Sequence, residues 1–537
     1  MTAIDPITRD VIQNAVQAIG DEMFAVMRRT AMSPVIYEVL DMGTAITDGE
    51  GQLASAGAGI PSFVCVLDKA VQVLLKKFAT PGSIAPGDIF ITNDPFHGGV
   101  THLNDIALAM PIFADGRLIA WTANIAHWSD VGGMSPGSSS TEAREVFQEG
   151  LRLPAVKLFD RGVLNAALLD VMLTNSRLPD VLRGDLWAGV AALRLGERRV
   201  AELAGKYGTA TFVQSLRDLM DDGESRTRAA LRRLPQGHFT MTEELDDGRV
   251  IRVAVEIAGD QMIVDLRDNP DQDPGPFNTS VEGALISCQI LLKSITDPDS
   301  PCSGGSFRPL TVLTRAGSLF HAKSPAALGF YYEPEIRLYD LLWRCLATQI
   351  PERLSAGHFS SICGTFITGR HPETGSPFAI VEPQVGGWGA SRDGDGPSAL
   401  FSGEHGETFN CPVEISEARY GIAVEQLALN PAKGGAGRYR GGKGIVVDYR
   451  MRADAHLTCG FTRSRVPPWS VDGAEEGTPN YVEIRRVHGA VERHALVSDL
   501  SLVRGDVVRI VTGSGGGWGD PELRDPADVT DDVLDGY

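Results

Sequence analysis

The spacing of apolar residues predicts a long amphipathic helix over residues 5–32. Asp5 is suited to cap this helix, and Pro6 fits the first helical position, where a backbone N–H is not required. The dipeptide Ser33-Pro34 ends the pattern. The apolar positions that recur at helical spacing are Val11, Ile12, Ala15, Val16, Ile19, Met23, Val26 and Met27.

Shorter apolar runs between Gly-rich turns predict strands in the rest of the first 130 residues. A turn is expected at residues 48–51 and a helix at about 66–78. The predicted strands are residues 42–47, 90–94, 106–113 and 117–127. The polar residues that follow these strands lie where binding and catalytic sites are usually built.

The pattern changes three times beyond residue 140. Helical character dominates residues 140–234, and strict alternation over 238–273 predicts antiparallel strands that turn near Gly259-Asp260. Helices are predicted at 280–295 and 334–348. From about residue 355 the chain is rich in strands and glycine, and its acidic end, DPADVTDDVLDGY, is expected to fray.

These patterns predict a mixed α/β (α+β) fold with several cores, as expected for 57.6 kDa. The first region is expected to be α/β, the second helical, the third α+β, and the fourth β-rich and Gly-rich. Their predicted bounds are 1–160, 161–237, 238–355 and 356–537.

Composition narrows the possible functions. A net charge of −20 argues against binding to nucleic acid or to an anionic membrane, because both require a basic surface. No apolar run reaches the length of a membrane span, and the N-terminal residues lack the pattern of a signal peptide. Seven cysteines without a CxxC pair predict neither a disulfide framework nor a thiolate zinc site. We therefore expect a cytoplasmic protein.

Two glycine-rich motifs resemble nucleotide sites but lack the required context. Residues Gly437–Gly444 match GxxxxGK, yet Gly444 stands where Ser or Thr should hold magnesium, and a predicted strand follows instead of a helix. The segment GGGWGDP (515–521) has no strand–helix unit around it. No strand–turn–helix unit of the GxSxG nucleophile-elbow type is predicted. Both glycine motifs are interpreted as turns.

The strongest chemical signal is the stretch from Asn93 to Asp130. It contains three of the 11 histidines, together with several aspartates. The candidate side chains in and near it are Asp41, Asp94, His97, His102, Asp105, His127 and Asp130. Any one of them could simply shape a loop or cap a turn, and Asp41 could be solvated. Together, His and Asp residues from adjacent strand ends favour a divalent metal site within region 1–160.

At these residues the chain resembles the hydantoinase B family, the HyuB-like subunits of ATP-dependent hydantoinases, oxoprolinases and acetone or acetophenone carboxylases. The resemblance covers nearly the whole chain. Its motifs are RTA (29–31), NDPFHGGVTHLND (93–105), AHWSDVGGMSPGS (126–138), QEGLRLPAVKL (148–158), GGWG (386–389), CPVEISE (411–417), GGAGRYRGGKG (434–444), PPW (467–469) and GSGGGWGDP (513–521).

The resemblance implies a partner of the HyuA type that binds ATP and phosphorylates a small-molecule substrate, with both chains in a hetero-oligomer. It implies a divalent metal, zinc, manganese or iron, on this chain. Carried over by motif, the metal ligands are Asp41, His102, Asp105 and His127. His97 and Asp130 fall just outside that set and are expected to orient a ligand or accept a proton.

Three departures from the usual family pattern leave the substrate open. Trp128 follows His127 where two adjacent histidines are common, Phe63 replaces a histidine, and GFYYEPEIR (329–337) replaces a polar segment. The leading hypothesis is a metal-dependent subunit of an ATP-dependent cyclic amide hydrolase of the hydantoinase, N-methylhydantoinase or oxoprolinase type. The alternatives are a subunit of an ATP-dependent ketone carboxylase and a non-catalytic structural subunit.

Overall fold

The computed structural model describes residues 4–537 and confirms a mixed α/β fold. Within that range the chain forms ten α-helices and twenty strands, and the strands belong to four sheets. Residues 1–3, which open the predicted region 1–160, lie outside the described residues. Among residues 4–537, no helix has both the length and the apolar character needed to cross a lipid bilayer.

A seven-stranded antiparallel sheet forms the N-terminal part of the molecule, in the order β2-β1-β5-β4-β3-β6-β7. Its strands are β1 (Met42–Asp48), β2 (Leu53–Gly59), β3 (Ile89–Thr92), β4 (Asp105–Ala114), β5 (Arg117–His127), β6 (Val156–Asp160) and β7 (Val163–Leu164). The helices of this part are α1 (Pro6–Thr30), α2 (Pro34–Tyr37), α3 (Pro61–Lys77), α4 (Ala166–Asn175), α5 (Pro179–Tyr207) and α6 (Thr209–Leu231). As predicted, Asp5 caps α1 by accepting the N–H of Thr8 at 2.9 Å.

Helices cover both faces of this sheet. Along β4, Ile106 and Leu108 pack in the same core as residues of α1 and α5. Ala107 and Ala109, on the opposite face of the strand, pack in the core that includes α3. Because both faces are buried, β4 is an unbroken apolar run without the polar alternation of a half-exposed strand.

The helical character predicted from residue 140 begins later, at Ala166. Residues 156–164 form β6 and β7 at the edge of the first sheet, where β6 pairs with β3. The connection before β6 is fixed by Asn93, whose side chain binds the carbonyl of Leu151 at 2.9 Å and the N–H of Leu153 at 2.7 Å. The pairing of β6 with β3 therefore determines the conformation of this segment, and local helical propensity does not.

A second, four-stranded sheet follows the helices, in the order β11-β10-β9-β8. Its elements, with the two helices that pack beside it, are β8 (Gly237–Glu244), β9 (Val250–Ala258), β10 (Gln261–Asp265), α7 (Val281–Thr296), β11 (Leu310–Leu313) and α8 (Tyr332–Ala347). The turn between β9 and β10 lies at Gly259-Asp260, as predicted, and Gly259 has a φ of +63°. The predicted helices at 280–295 and 334–348 correspond to α7 and α8.

The C-terminal part contains two further sheets packed around one apolar core. The sheets have the orders β13-β12-β16-β19 and β14-β15-β20-β17-β18. The elements are β12 (Thr365–Arg370), β13 (Pro377–Glu382), α9 (Val413–Arg419), β14 (Ile422–Leu429), β15 (Ile445–Met451), β16 (Ala455–Gly460), β17 (Tyr481–Arg485), β18 (Val491–His494), β19 (Leu496–Leu502), β20 (Val507–Val511) and α10 (Pro526–Leu534).

Three extended glycine-rich segments, residues 386–390, 434–442 and 513–517, pack against one another in what we call the glycine layer. Backbone hydrogen bonds of 2.8–2.9 Å join them, from Gly387 to Gly513, from Gly442 to Trp388 and from Gly515 to Gly442. A Cβ on Gly515 would lie 1.9 Å from the carbonyl oxygen of Trp388. The glycines are therefore required because backbone packs directly on backbone.

The acidic end of the chain is folded, although fraying was expected. It forms α10, and Asp532 of this helix pairs with Arg440 at 2.6 Å and Arg524 at 2.8 Å. The Tyr537 ring lies 3.5 Å from the Arg440 guanidinium and 4.6 Å from Lys443 Nζ. Arg440 and Lys443, the basic residues of the GxxxxGK segment, thus hold the acidic C-terminal end in place. Composition alone gives no indication of these partners.

Candidate functional site

Three side chains from the predicted His/Asp stretch converge inside the protein. Asp105 begins β4 and His127 ends β5, and the two residues lie opposite each other in the strand register. His102 lies in the loop before β4. One nitrogen or oxygen atom from each of the three residues lies within 4.8 Å of the others. The fold therefore brings His102, Asp105 and His127 close enough to share one metal ion.

The three side chains are buried, and two of their polar atoms have no hydrogen-bond partner. Asp105 Oδ1 lies 3.2 Å from His102 Nε2, but this approach lacks hydrogen-bond geometry. His127 Nδ1 is also unpartnered. A buried polar atom left unpaired costs about 1–3 kcal/mol, so a bound group would relieve a substantial penalty here. Two imidazoles and a carboxylate are donors that suit a divalent ion.

Neighbouring groups orient two of the three side chains. His102 Nδ1 lies 3.3 Å from the carbonyl oxygen of Gly329. Glu149 fixes the backbone at this position, because its carboxylate accepts the N–H groups of Leu328 at 3.0 Å and of Gly329 at 2.5 Å. Donation from Nδ1 leaves Nε2 with its lone pair, which is the tautomer that binds a metal. Thr101 donates its hydroxyl to the other oxygen of Asp105.

Burial and mutual charge set the protonation of the cluster. Burial, and then the neighbouring His102, lower the pKa of His127 to about 3, so this imidazole is neutral at pH 7. Burial also opposes the protonated form of His102, but Asp105 outweighs burial and raises that pKa. For Asp105, burial raises the pKa, whereas His102 and then His127 lower it overall. The cluster thus contains an ionised carboxylate and at least one neutral imidazole.

Asp41 lines the same cavity but lies outside the three-residue cluster. Its carbonyl oxygen accepts the N–H of His127 at 3.0 Å. Burial, and then Asp105, raise the pKa of the Asp41 carboxyl well above its ordinary value. Two carboxylates in one site raise each other's pKa, and a cation between them reverses this effect. Its predicted role as the fourth ligand stays a prediction.

Neither predicted proton-transfer residue reaches the cavity. The Asp130 carboxylate accepts the N–H groups of Gly132 and Gly137 at 3.1 and 3.0 Å and pairs with Arg177 at 3.0 Å, so it holds the loop after β5. His97 is exposed, and its N–H is bonded to Asp94 at 3.1 Å. Both residues were predicted to lie beside the ligands because they are close to them in sequence. The β3–β4 loop places His97 elsewhere, and the loop after β5 does the same for Asp130.

A small cavity of about 40 Å³ adjoins the cluster. This volume holds about three water molecules, so a ring-sized substrate requires the walls to move. The walls are mostly apolar, with Phe63, Tyr331, Tyr332, Ile362, Phe366 and Val381 among the lining residues. Three of the positions at which the chain departs from the usual family pattern, Phe63, Tyr331 and Tyr332, therefore shape this cavity.

Two polar residues of the cavity wall, His405 and Glu382, were missed by sequence reasoning. Both come from the C-terminal third of the chain, so no local spacing links them to the ligands. Burial lowers the pKa of His405 to about 4, and its Nδ1 has no partner. The rarity of histidine was the only available signal for His405.

Glu382 gives a prediction about stability and pH. Burial raises the pKa of its carboxyl to about 8, although Asn410 and the N–H of Cys411 bind one oxygen at 3.0 and 2.8 Å. Between about pH 5 and pH 8, the folded chain keeps a proton that the unfolded chain loses, so the wild type loses stability as pH rises. Glu382→Gln removes this dependence and is expected to gain up to about 4 kcal/mol over wild type across that range, measured by thermal unfolding.

Glu492→Gln is the matched control for that experiment. Arg486 lowers the pKa of Glu492, so the carboxylate form is the one that the fold favours. The Glu492→Gln variant is therefore expected to lose a little stability relative to wild type as pH rises, opposite in sign to Glu382→Gln. Parallel pH curves for wild type and Glu382→Gln would contradict the assignment of a neutral Glu382.

Comparison with known proteins identifies the family. A sequence model described as Hydantoinase B/oxoprolinase matches residues 5–521. The chain belongs to this family. The resemblance inferred from the sequence motifs is therefore confirmed over almost the full length of the chain.

Three known proteins are similar to this chain in sequence or in fold. It is 30% identical to the beta subunit of the caprolactamase of Pseudomonas jessenii, over 100% of this chain and 94% of the relative. The crystal structure of that ATP-dependent caprolactamase superposes with a TM-score of 0.92 and the same coverage. The matching chain of a putative D-/L-hydantoinase from Pseudomonas sp. is 28% identical, over 99% and 93%. A nucleotide-free acetone carboxylase, at 18% identity, shares the fold with a TM-score of 0.91, over 99% of this chain and 78% of the other.

Proposed function

We propose that this chain is the metal-holding subunit of an ATP-dependent cyclic amide hydrolase. The observation that carries the proposal is the buried cluster of His102, Asp105 and His127, with unpartnered donor atoms beside a small cavity. Full-length similarity to chains of a caprolactamase and of a putative hydantoinase supports a cyclic amide as the substrate class.

In this proposal His102, Asp105 and His127 hold the ion, and Asp41 is the fourth ligand. A divalent ion would supply Lewis acidity, which lowers the pKa of water and polarises the carbon under attack. The chain supplies orientation, since the Gly329 carbonyl fixes the ring of His102, and the apolar cavity walls limit access of bulk water. Zinc, manganese and iron all accept such donors, and metal analysis of the purified protein distinguishes them.

The proposal requires a HyuA-type ATPase partner, and the two chains would act as a hetero-oligomer. The nearest match to a P-loop here, Gly437–Gly444, runs into the strand β15, and Lys443 Nζ is bonded to the Gly536 carbonyl at 2.7 Å. This segment therefore lacks the helix N-terminus that binds phosphate in a P-loop. Phosphorylation of the amide oxygen by the partner would remove the resonance that makes an amide slow to hydrolyse.

We assign proton transfer in the cavity to His405. It lines the cavity as a neutral imidazole with an unpartnered Nδ1, whereas Asp130 and His97 lie elsewhere. A neutral imidazole can take a proton from an attacking water and return it to the departing nitrogen. His405→Asn is therefore expected to keep the metal and to lose turnover, which separates this role from that of a ligand.

An ATP-dependent ketone carboxylase is the second candidate, and the cavity walls are compatible with it. Phe63, Tyr331 and Tyr332 form an apolar surface that suits a ketone as well as a lactam. A non-catalytic subunit that only stabilises its partner is the third candidate. It predicts that no metal co-purifies with the chain.

One reconstitution experiment distinguishes the three candidates. The chain and a HyuA-type ATPase are purified together, and ATP turnover is measured with hydantoins, lactams and ketones, with and without bicarbonate. We expect turnover only with both chains and a cyclic amide, independent of bicarbonate. Turnover that requires a ketone and bicarbonate would identify a carboxylase instead. A metal-free chain in a fully active complex would support the structural role.

A further inference from the structure

A second cavity, larger than the first, lies where the β8–β9 connection meets the start of α8. Its volume is about 490 Å³. Phe277, Leu319 and Phe461 form an apolar part of its wall. Four arginines also line it, namely Arg144, Arg249, Arg337 and Arg465. A cavity that combines an apolar wall with several guanidinium groups has the chemistry of a site for an organic anion.

The acidic residues of the same wall are already engaged. Asp246 accepts three successive backbone N–H groups of residues 464–466 at 2.8–3.0 Å. Asp247 and Asp273 both pair with Arg249, at 2.6 and 2.7 Å. Within residues 4–537, Arg144 and Arg465 pair with no carboxylate, although each approaches a backbone carbonyl, at 3.4 and 3.3 Å.

Arg337 is the decisive residue of this cavity. Its side chain is only 2% exposed, and its Nη2 donates to Glu243. Its Nε and Nη1 have no hydrogen-bond partner. Burial, and then the neighbouring Arg463, lower the pKa of Arg337, as expected for a cation that lacks full compensation. A guanidinium buried at a cavity with two unpartnered nitrogens is most simply completed by an anion.

The charges beneath the cavity are unequal in number. Glu243 is shared by three arginines, since Arg344 and Arg463 pair with it at 3.2 and 3.0 Å in addition to Arg337. The only other carboxylate that contacts these arginines in the described chain is Asp340, which pairs with Arg463. Three guanidinium groups therefore share two carboxylates in direct contact, and Asp246 attracts Arg337 from a longer distance.

The segment Tyr331–Pro334 borders both cavities. Tyr331 and Tyr332 line the first cavity, and Pro334 lines the second. Glu333 joins the two sides, because it accepts the N–H of Ile362 at 3.0 Å and the hydroxyl of Thr462 at 2.5 Å. Ile362 belongs to the wall of the first cavity and Thr462 to the wall of the second.

We propose that the second cavity binds a small organic anion. Its charged group, a carboxylate or a phosphate monoester, pairs with Arg337, Arg144 and Arg465, and its apolar body packs on Phe277 and Phe461. The site is distinct from the His/Asp cluster. Anion binding at this site does not depend on which reaction takes place at that cluster. Because the segment Tyr331–Pro334 borders both cavities, an anion held there lies close to the candidate active site.

Binding is tested on the full chain by titration calorimetry with three probes of similar size. Benzoate represents a carboxylate, phenyl phosphate a phosphate monoester, and benzamide the neutral isostere. We expect benzoate or phenyl phosphate to bind at about 1 mM or tighter, and at least about tenfold more tightly than benzamide. The preferred anion identifies the charged group. Equal affinity for benzamide, or no binding of either anion, would overturn the proposal.

Two variants locate the bound anion without disturbing the buried arginines. The double variant Arg144→Gln/Arg465→Gln removes two cations and is expected to weaken anion binding at least fivefold. Ala495→Trp fills the cavity without changing charge and is expected to abolish it. Arg252→Gln, an exposed arginine of β9 outside the cavity, is the matched control and is expected to bind as wild type does. Unchanged affinity in both test variants, with folding verified by circular dichroism, would place the anion elsewhere.

Discussion

Replacement of His102 by alanine is expected to remove the metal and the substrate-dependent ATP turnover of the reconstituted complex together. The imidazole lies within 4.8 Å of donor atoms of Asp105 and His127 and is oriented by Gly329. Loss of a residue that only orients a ligand typically costs 10–100-fold in metal affinity or activity, so loss of the ligand itself should exceed about 100-fold. Metal content by mass spectrometry and turnover are measured on the same preparation.

His97→Ala is the matched control, since it removes an imidazole from the same sequence motif at an exposed position. It is expected to retain both metal and turnover. If His102→Ala kept its metal, the cluster would not be the metal site. If it lost the metal but kept full turnover, the metal would have no part in the reaction. Loss of activity in His97→Ala alone would restore the catalytic role predicted from the sequence.

Gly515→Ala is expected to prevent the C-terminal part from folding, although it adds only one methyl group. The new Cβ would lie 1.9 Å from the Trp388 carbonyl oxygen and 2.1 Å from its carbonyl carbon. Both atoms belong to the backbone of the glycine layer, which is held by hydrogen bonds on its other sides and cannot move as a side chain would. Overpacking against backbone should cost at least about 4 kcal/mol, measured as a fall in the thermal midpoint or as loss of soluble protein.

Gly205→Ala is the matched control for that substitution. Gly205 lies within α5, and no atom lies within 4 Å of the added Cβ. Alanine is the better helix former by about 0.8–1.0 kcal/mol, so this variant should be as stable as wild type or slightly more stable. Equal stability of the two variants would show that the glycine layer tolerates a separation of its segments.

Most elements of the fold follow from periodicity in the sequence. The apolar stripe of α1, the unbroken runs of β4 and β5 and the alternation of β9 each bury the face that their pattern predicts. The predictions fail where contacts between residues distant in sequence determine the local structure. Residues 156–160 become a strand because β3 offers an open edge, and the acidic α10 is held by Arg440, which is distant in sequence, together with the neighbouring Arg524.

The residues of the candidate site also divide into those that the sequence predicts and those that it does not. His102, Asp105 and His127 could be grouped from the sequence because they lie at the ends of strands that pair directly. The roles predicted for Asp130 and His97 rested only on adjacency, and positive-φ glycines at 132 and 133 turn the chain that follows Asp130. His405 is distant from His102 in sequence, and a single sequence gives no physical means of assigning it to the cavity beside His102.

The glycine layer also fixes the order in which the protein can be completed. Residues 513–517 provide the carbonyl partners of Gly387, Ala390 and Gly435. Until residues 513–517 have been synthesised, the glycines of the two earlier segments have neither those partners nor side chains to bury. Hydrophobic collapse alone therefore cannot hold these glycines in place. We expect the two earlier segments to reach their final packing only after residues 513–517 have joined them.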